Sequence, residues 1–326
     1  MAVVQPPARQ VAAAKAAAQG IRRIRTVTGD IEIDGHKVHL TNLDKPIWPD
    51  IPKREFIAYY VGVGPWLLPH LKDRALGCQI FPDGINGKSF WRKQLPTHAP
   101  VWLRHWEYSG EDKTTNYIVA DSLASLAWLA NSGAIDLHPW HSRIDAPDKP
   151  DWAVFDLDPA EGAKFDDVVA IARLVKVALD HLGMHGYLKT SGQTGLQIYV
   201  PLRRGPSYAE VRAWVEGIGR AIGRVVPELV SWEWTVSLRT GRVRIDYTQN
   251  VLNKTLAAPY ALRPLDGAPV STPLDWSELS GRNLRPNGWN HATIQRRLTK
   301  LGDLFAPVLA GDQNLPGREL VEIKKG

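Results

Sequence analysis

The stretch WAVFDLDPAEG (152–162) decides how the chain is interpreted, because it places Asp156 and Asp158 inside an otherwise apolar segment. In a strand, successive side chains point to opposite faces, so both carboxylates share one face while Phe155 and its alternate neighbours occupy the other. Like charges on one strand face repel each other. The stretch therefore predicts a buried strand whose carboxylates are balanced by a cation from outside the chain.

A third carboxylate follows the same pattern later in the chain. Asp246 stands in VRIDYTQ (243–249), an apolar segment that also favours a strand. Three carboxylates gathered at sheet ends form the oxygen-rich site that hard cations such as Mg²⁺ and Mn²⁺ prefer. Two such ions can hold a triphosphate and polarise an attacking hydroxyl. Simple strand ends or turn caps remain an alternative at this point.

Length and composition describe an ordinary globular protein. The chain has 326 residues, 44% of them hydrophobic and 23% charged, so it can build one large core or two modest ones. No apolar run approaches the roughly 20 residues of a membrane-spanning helix, and the N-terminal segment lacks the order of a signal peptide. The single cysteine, Cys78, excludes an internal disulfide and a multi-cysteine metal site. We therefore expect a soluble cytosolic protein with no membrane partner.

The charge balance is compatible with a polyanionic partner. Lys and Arg outnumber Asp and Glu by 40 to 34, and the isoelectric point is near 9.3. In KSFWRKQLP (88–96), Phe90 and Trp91 stand among basic residues that include Lys93. Such a combination suits stacking on a base while neighbouring phosphates are held electrostatically. A core aromatic with a solvated basic rim explains the stretch equally well.

Periodicity and turn residues divide the chain into elements. Residues 1–25 are expected to form a flexible alanine-rich arm that could fray or form a weak helix, and Asp34-Gly35 marks the turn of a hairpin. Helices are expected over 53–71 with an interruption at Pro65, from Asp121 to Gly133, from Asp166 to Gly183, from Ser207 onward, and over 289–305; strands are expected in 187–201 and from 242. The alternation of strands and helices in the central third predicts an α/β or α+β protein with mixed sheets.

Five stretches occur in an order that resembles a known family: LTNLDKPIWP (40–49), LHPW (137–140), FDLDP (155–159), TSGQTGLQIYVP (190–201) and VRIDYTQN (243–250). They resemble the archaeo-eukaryotic primase superfamily, as found in the polymerase domain of bacterial LigD, and the resemblance spans about residues 25–305. The chain most resembles the stand-alone actinobacterial LigD-like polymerases called Prim-PolC.

The resemblance implies an α+β primase fold with two packed mixed or antiparallel sheets, flanking helices and the active site between them. It implies one catalytic domain over 26–326, with DNA-binding elements in about 26–145, the motifs in about 150–265 and a last helix in about 289–305. The implied enzyme is a DNA-directed primase-polymerase, a nucleotidyltransferase that adds nucleotides, preferably ribonucleotides, to a primer 3′-hydroxyl at short gaps or breaks by a two-metal mechanism.

The resemblance also implies cofactors and partners. The expected cofactors are two Mn²⁺ or Mg²⁺ ions, and the substrates are nucleoside triphosphates and gapped or broken DNA with a 5′-phosphate. A separate DNA ligase or a Ku-type protein is a candidate partner in end-joining repair. The protein is expected to be a monomer in the bacterial cytoplasm, associated with the nucleoid.

Roles follow for the positions that match the family's motifs. The expected metal-binding and catalytic residues are Asp156, Asp158 and Asp246. The expected nucleotide-binding residues are Ser191, Thr194, His138, Arg239, Gln249 and Arg263, with Phe90 and Trp91 stacking on the incoming base or template. The residues expected to bind DNA and its 5′-phosphate are Asn42, Lys45, Lys53 and Lys93.

Two parts of the pattern depart from the family. LigD motif II usually has a lysine before its second glycine and a histidine after it, where this chain has Thr194 and Gln197. Threonine brings no charge to a triphosphate, so nucleotide binding is expected to be weaker or differently organised, and glutamine does not titrate near neutral pH. The basic pair that helps bind the 5′-phosphate appears here as Gln79 and Ile80.

Three rival interpretations were weighed. A phosphohydrolase of the haloacid dehalogenase type also has Asp-x-Asp after an apolar strand, but this chain continues with Pro159 and Ala160. A glycosyltransferase with a DxD metal site leaves Asp246 unexplained. A nucleic-acid-binding module with a weak or inactive site is the non-enzymatic alternative, because motif II is altered at Thr194 and Gln197. An assay for metal-dependent nucleotide addition distinguishes this binding module from a polymerase.

Overall fold

The structure, a computed structural model, describes residues 4–111, 113–233, 235 and 240–317. The chain forms two compact units. Unit 1 contains the segment up to Trp140 together with Leu256–Ser271 and Trp289–Asp303, and unit 2 contains His141–Thr255, Thr272–Gly288 and the segment from Leu304 onward. Because each unit is assembled from three separate segments, neither is a continuous piece of sequence.

The described residues form six α-helices and fourteen β-strands, which confirms the α+β class. The helices are α1 (Ala8–Arg23), α2 (Lys53–Leu71), α3 (Leu123–Asn131), α4 (Phe165–His181), α5 (Tyr208–Val225) and α6 (Ile294–Leu301). The strands are β1 (Gly29–Ile33), β2 (His36–Leu40), β3 (Pro46–Trp48), β4 (Ile51–Pro52), β5 (Leu76–Ile80), β6 (Phe90–Arg92), β7 (His105–Ser109), β8 (Thr114–Ile118), β9 (Ala134–Pro139), β10 (Trp152–Pro159), β11 (Tyr187–Thr190), β12 (Leu196–Pro201), β13 (Val243–Ile245) and β14 (Pro273–Leu274). None of the described helices combines the length and the apolar character needed to cross a bilayer.

Unit 1 is built on an antiparallel sheet in which β5 pairs with β6, β8 and β9, and β8 pairs with β7. Strands β1 and β2 form the hairpin expected from the sequence. Both turn residues, Asp34 and Gly35, have positive φ angles of 51° and 75°. This conformation suits a two-residue hairpin turn, and an Asp-Gly pair tolerates it.

Asp303, the last residue of unit 1, is a buried carboxylate that bonds to other segments of the unit. Asp303 accepts a 2.6 Å hydrogen bond from the Tyr260 hydroxyl, and its second oxygen lies 2.8 Å from His70 Nε2. The Asp303 amide donates to the carbonyl of Val4 at 2.8 Å. Residues from both ends of the unit 1 sequence are therefore bonded to each other.

Helix α2 runs through Pro65 and Pro69, so the interruption expected at Pro65 is wrong. A proline inside a helix removes one backbone donor and usually bends or breaks the helix. Fourteen of the nineteen residues of α2 are buried, and this packing outweighs the local preference. The fit is close at Gly64, where a Cβ atom would lie 2.2 Å from Leu123 of α3.

The N-terminal arm takes the helical form of the two that the sequence left open. Residues 8–23 form helix α1, which packs against α2. Its buried side chains are Ala14, Ala18 and Ile21, spaced so that they lie on one helix face. Two of these are alanines, which let the helices approach closely but give only a weak hydrophobic signal in the sequence.

Unit 2 is an antiparallel sheet in the order β13-β10-β12-β11-β14, with α4 and α5 packed on β10. The apolar face of β10 meets the helices, and Phe155 lies edge-on to Trp214 of α5 with ring centres 5.8 Å apart. The helix expected from Ser207 is confirmed, since its side chain caps α5 and Glu210 completes a capping box. The opposite face of β10 is left for the two aspartates.

Several elements are shorter than expected. The strand expected from 242 covers only Val243–Ile245, and a 3-10 helix then begins at Tyr247. The last helix covers Ile294–Leu301 rather than 289–305. Helix α3 begins at Leu123 rather than Asp121 and is capped by Ser122, whose hydroxyl accepts from the backbone N–H of Ser125.

Candidate functional site

Three carboxylates meet where β10 and β13 lie side by side in unit 2. One oxygen from each of Asp156, Asp158 and Asp246 lies within 4.8 Å of the other two. The Asp246 amide donates to the carbonyl of Asp156 at 2.8 Å, which holds the third motif against the first. The cluster therefore lies entirely on the sheet of unit 2. The sequence argument from strand alternation identified the same three residues.

Burial and the neighbouring carboxylates disfavour the charged form of Asp156. Burial raises the pKa of Asp156 well above its ordinary range, and the charge of Asp158 adds to this effect. A cation placed among the oxygens would relieve both costs. Hard divalent ions prefer carboxylate oxygens as ligands. The cluster offers three carboxylates, so the residues present fit Mg²⁺ or Mn²⁺.

Asp246 is fixed in its ionised form by the residues around it. The hydroxyl of Thr248 donates to Oδ1 at 2.6 Å, Gln249 Nε2 donates to Oδ2 at 3.0 Å, and Arg244 Nη2 lies 3.2 Å from Oδ1. Burial raises the pKa of Asp246, but the Thr248 hydrogen bond and the Arg244 charge outweigh it, so the pKa lies below its usual value. The sequence analysis missed Arg244, although its place two residues before Asp246 puts both on one strand face.

Asn250 holds the segment after Asp246 against β10. It is a buried residue to which the sequence analysis gave no role. The Val154 amide donates to Asn250 Oδ1, and Asn250 Nδ2 donates to the Val154 carbonyl, both at 2.8 Å. One side chain thus makes the pair of bonds that a neighbouring strand would make. Since Val154 precedes Asp156 by two residues, Asn250 fixes the distance between the motifs.

The motif II loop (190–195) closes on one of its own side chains. Ser191 Oγ accepts from the backbone amides of Gln193, Thr194 and Gly195 at 3.2, 3.2 and 3.0 Å. These three amides are therefore occupied by a side chain of the loop itself. Thr194 itself is exposed.

In unit 1, His138 and Arg263 meet at a carboxylate that the sequence analysis missed. His138 Nε2 lies 2.9 Å from Asp136 Oδ1, and Arg263 Nε lies 3.0 Å from Asp136 Oδ2. All three residues are buried. Trp91 lies edge-on to His138 with ring centres 4.9 Å apart, and both Trp91 and Phe90 are about half exposed on β6. The detectable signal for Asp136 was its position two residues before His138, on the same face of β9.

Lys53, at the start of α2, is a buried cation. It is 6% exposed, and burial together with the charge of Lys45 lowers its pKa to about 8. Lys45 Nζ is paired with Asp83 Oδ1 at 2.5 Å, whereas no carboxylate of the described residues pairs with Lys53. Asn42 is exposed nearby in sequence, with a positive φ of 53°. A buried ammonium without an anion is the arrangement expected of an anion-binding residue.

The remaining predicted positions are spread more widely. Lys93 is exposed just after β6, and Gln79 donates to Ser89 Oγ at 3.1 Å. Ile80 is 1% exposed in the core of unit 1, so its side chain is not accessible to a 5′-phosphate of DNA. Arg239 lies outside the described residues.

The chain is similar to known proteins over most of its length. The family model "LigD, primase-polymerase domain" matches residues 52–305. The multifunctional non-homologous end joining protein LigD of Mycolicibacterium smegmatis is 33% identical over 276 residues, which cover 83% of this chain and 36% of that protein. The bifunctional non-homologous end joining protein LigD of Bacillus subtilis is 32% identical over 283 residues, covering 86% and 45%. This chain therefore spans less than half the length of either relative.

A solved structure agrees with these matches. The polymerase domain from Mycobacterium tuberculosis ligase D, solved in complex with DNA, has a TM-score of 0.79 and 31% identity, and the match covers 84% of this chain and 98% of that one. The family model alone covers more than half of the chain, and the shared fold is the one that the ordered motifs implied. The chain belongs to the LigD primase-polymerase domain family, a family of nucleotidyltransferases.

Proposed function

We propose that this protein adds nucleotides to a primer 3′-hydroxyl at short DNA gaps or breaks during end-joining repair. The observation that carries the proposal is the cluster of Asp156, Asp158 and Asp246 in a chain of the primase-polymerase family. Two Mn²⁺ or Mg²⁺ ions held there would stabilise the charge of the triphosphate and make the primer hydroxyl a better nucleophile. The solved relative contains DNA, which supports DNA as the substrate.

The residues of the chain position the reactants. Asp246, kept ionised and oriented by Thr248 and Gln249, would hold the ion nearest the primer end. Asp156 and Asp158 would share both ions. Positioning of this kind accounts for most of phosphoryl-transfer catalysis, since the protein has little covalent chemistry to perform.

Nucleotide contacts would come from further residues. We assign the triphosphate to Ser191, His138 and Arg263, the last two oriented by their shared contact with Asp136. The half-exposed rings of Phe90 and Trp91 would stack on a base, since every base offers a π face. A preference for ribonucleotides, a monomeric state, a location at the bacterial nucleoid, and a separate ligase or Ku-type partner belong to the same proposal.

The direct test is nucleotide addition on a one-nucleotide gap in DNA with Mn²⁺ present. Ribonucleotides and deoxyribonucleotides are compared, with and without a 5′-phosphate on the downstream strand. We expect templated addition of one nucleotide, faster with ribonucleotides. Measurable DNA binding without addition of any nucleotide would favour the binding-module interpretation instead.

The buried ammonium of Lys53 gives the 5′-phosphate contact a pH dependence. Binding of the phosphate requires the charged form of Lys53, whose pKa in the free protein is about 8. Because a cation with this pKa is mostly charged at pH 7 and mostly neutral at pH 9, the affinity advantage of a 5′-phosphorylated gap should shrink about tenfold over that range. The measurement is fluorescence anisotropy on gaps with a 5′-phosphate or a 5′-hydroxyl.

The matched control for that measurement is Lys53→Met. It should lower the advantage of the phosphate at pH 7 and leave no further decline toward pH 9. An unchanged slope in Lys53→Met would show that another group is responsible for the pH dependence.

A further inference from the structure

A polar row crosses the sheet of unit 2 on the face that carries the carboxylates. In the strand register Asp156 of β10 lies opposite Gln197 of β12, which lies opposite Lys189 of β11. All three are buried, and Lys189 is fully so. Gln197 Nε2 donates to Asp156 Oδ1 at 2.9 Å, and Lys189 Nζ donates to Gln197 Oε1. The row therefore connects an internal cation to the metal cluster through one amide.

The direction of this row follows from the chemistry of its end members. A lysine ammonium has donors and no acceptor, so only the oxygen of the Gln197 amide can face Lys189. The amide nitrogen must then face Asp156, where it can only donate. Asp156 Oδ1 is thereby occupied and the carboxylate plane is fixed. Without Lys189, the direction of the amide would depend on Asp156 alone, and a protonated Asp156 could donate to the amide oxygen instead.

Burying the Lys189 ammonium costs free energy of folding. A buried ammonium loses its hydration, and a well-packed apolar side chain of the same size usually fits such a place at least as well. The ring of Tyr199 lies near Lys189, with its centre 5.6 Å from Nζ, but an aromatic face returns only part of the lost hydration. Since an apolar side chain would stabilise the fold equally well, the charge of Lys189 points to a role in the site rather than in folding.

Resting on the function proposed above, we propose that Lys189 is a positioning residue for metal binding. It orients the Gln197 amide, which in turn holds Asp156 so that its second oxygen is presented to the metal ions. Partners that orient a metal-binding side chain in this way typically change metal affinity by about 10–100-fold when they are removed. The altered motif II residue, Gln197, is then an active part of the site.

The experiment uses the full chain without DNA or nucleotide. Mn²⁺ is titrated and its free concentration is followed by electron paramagnetic resonance, and melting temperatures are measured without Mn²⁺. The variants are Lys189→Met, Gln197→Leu and Gln197→His, with Lys176→Met as the matched surface control. Histidine keeps one acceptor and one donor on opposite sides of the ring, so it can preserve the row.

We expect Lys189→Met and Gln197→Leu to raise the dissociation constant for Mn²⁺ at least tenfold, while Gln197→His and Lys176→Met stay close to the parent. The melting temperature of Lys189→Met should fall by a few degrees at most, because Gln197 Oε1 loses its donor while the cost of a buried charge is relieved. Unchanged Mn²⁺ affinity in both Lys189→Met and Gln197→Leu would overturn the inference. So would losses of affinity that only follow losses of stability.

The result for the parent separates this inference from the proposed function. If the parent binds Mn²⁺ and Asp158→Asn does not, the cluster is the metal site and the variants of Lys189 and Gln197 decide the inference. If the parent binds no Mn²⁺, the metal site itself is wrong and the inference falls with it. Should Lys189→Met fail to fold, the comparison of Gln197→Leu with Gln197→His decides, since both keep Lys189.

Discussion

Asp158→Asn is expected to lower the rate of templated nucleotide addition by about a thousandfold or more. The change keeps the size of the side chain and removes one of the three charges that lie within 4.8 Å of one another. Metal ions contribute several kcal/mol to transition-state stabilisation in such reactions, and each ~1.4 kcal/mol is a factor of ten in rate. Single-turnover addition on gapped DNA with saturating Mn²⁺ measures the effect.

The same variant should fold at least as well as the parent. The charge of Asp158 contributes to the raised pKa of the buried Asp156, so removing it relieves repulsion in the metal-free protein. Asp180→Asn, which removes an exposed charge from α4, is the matched control and should leave the rate unchanged. If Asp158→Asn retains a tenth or more of the parent rate, the carboxylate cluster is not the catalytic centre.

Gly195→Ala is expected to destabilise unit 2 and to remove activity with it. A Cβ atom at this position would lie 2.1 Å from the carbonyl oxygen of Leu157, far inside van der Waals contact. Leu157 stands between Asp156 and Asp158, so the strand that carries both carboxylates would have to move. Overpacking against backbone costs about 3 kcal/mol or more, which should lower the melting temperature by roughly 5–10 °C.

Gly77→Ala on β5 is the control for this glycine prediction. A Cβ atom there meets its nearest neighbours at 3.9 Å, an ordinary contact distance. It should therefore fold like the parent in thermal denaturation followed by circular dichroism. Equal melting temperatures for Gly195→Ala and the parent would contradict the close approach of the motif II loop to β10.

Sequence reasoning was most successful where one strong local signal acted alone. The Asp34-Gly35 turn and the amphipathic pattern after Ser207 gave the hairpin and helix α5, because both depend on neighbouring residues. It failed where packing decides. Pro65 signals a break, yet α2 continues because it is buried on nearly every side. The alanines of α1 give little hydrophobic signal, yet they allow a close contact with α2.

The candidate site shows the same division. The three aspartates could be identified because each interrupts an apolar strand. Asp136 and Asn250 could not, since their importance comes from partners far away in sequence: Arg263 is 127 positions beyond Asp136, and Asn250 bonds a backbone 96 residues earlier. The closed form of the motif II loop also depends on how one hydroxyl, Ser191 Oγ, turns relative to three amides.

The division of unit 1 among three segments has a consequence for the protein's biogenesis. The carboxylate that meets His70 and Tyr260 belongs to Asp303, so the ribosome must translate past residue 303 before this interior can close. Domains that form from a continuous N-terminal stretch can fold while the rest is still being made, but this one cannot. Until then the surfaces of unit 1 that contact Leu256–Ser271 and Trp289–Asp303, including Tyr59 of α2, lack their partners, and a truncated translation product ending before residue 289 should be a substrate for chaperones and proteases.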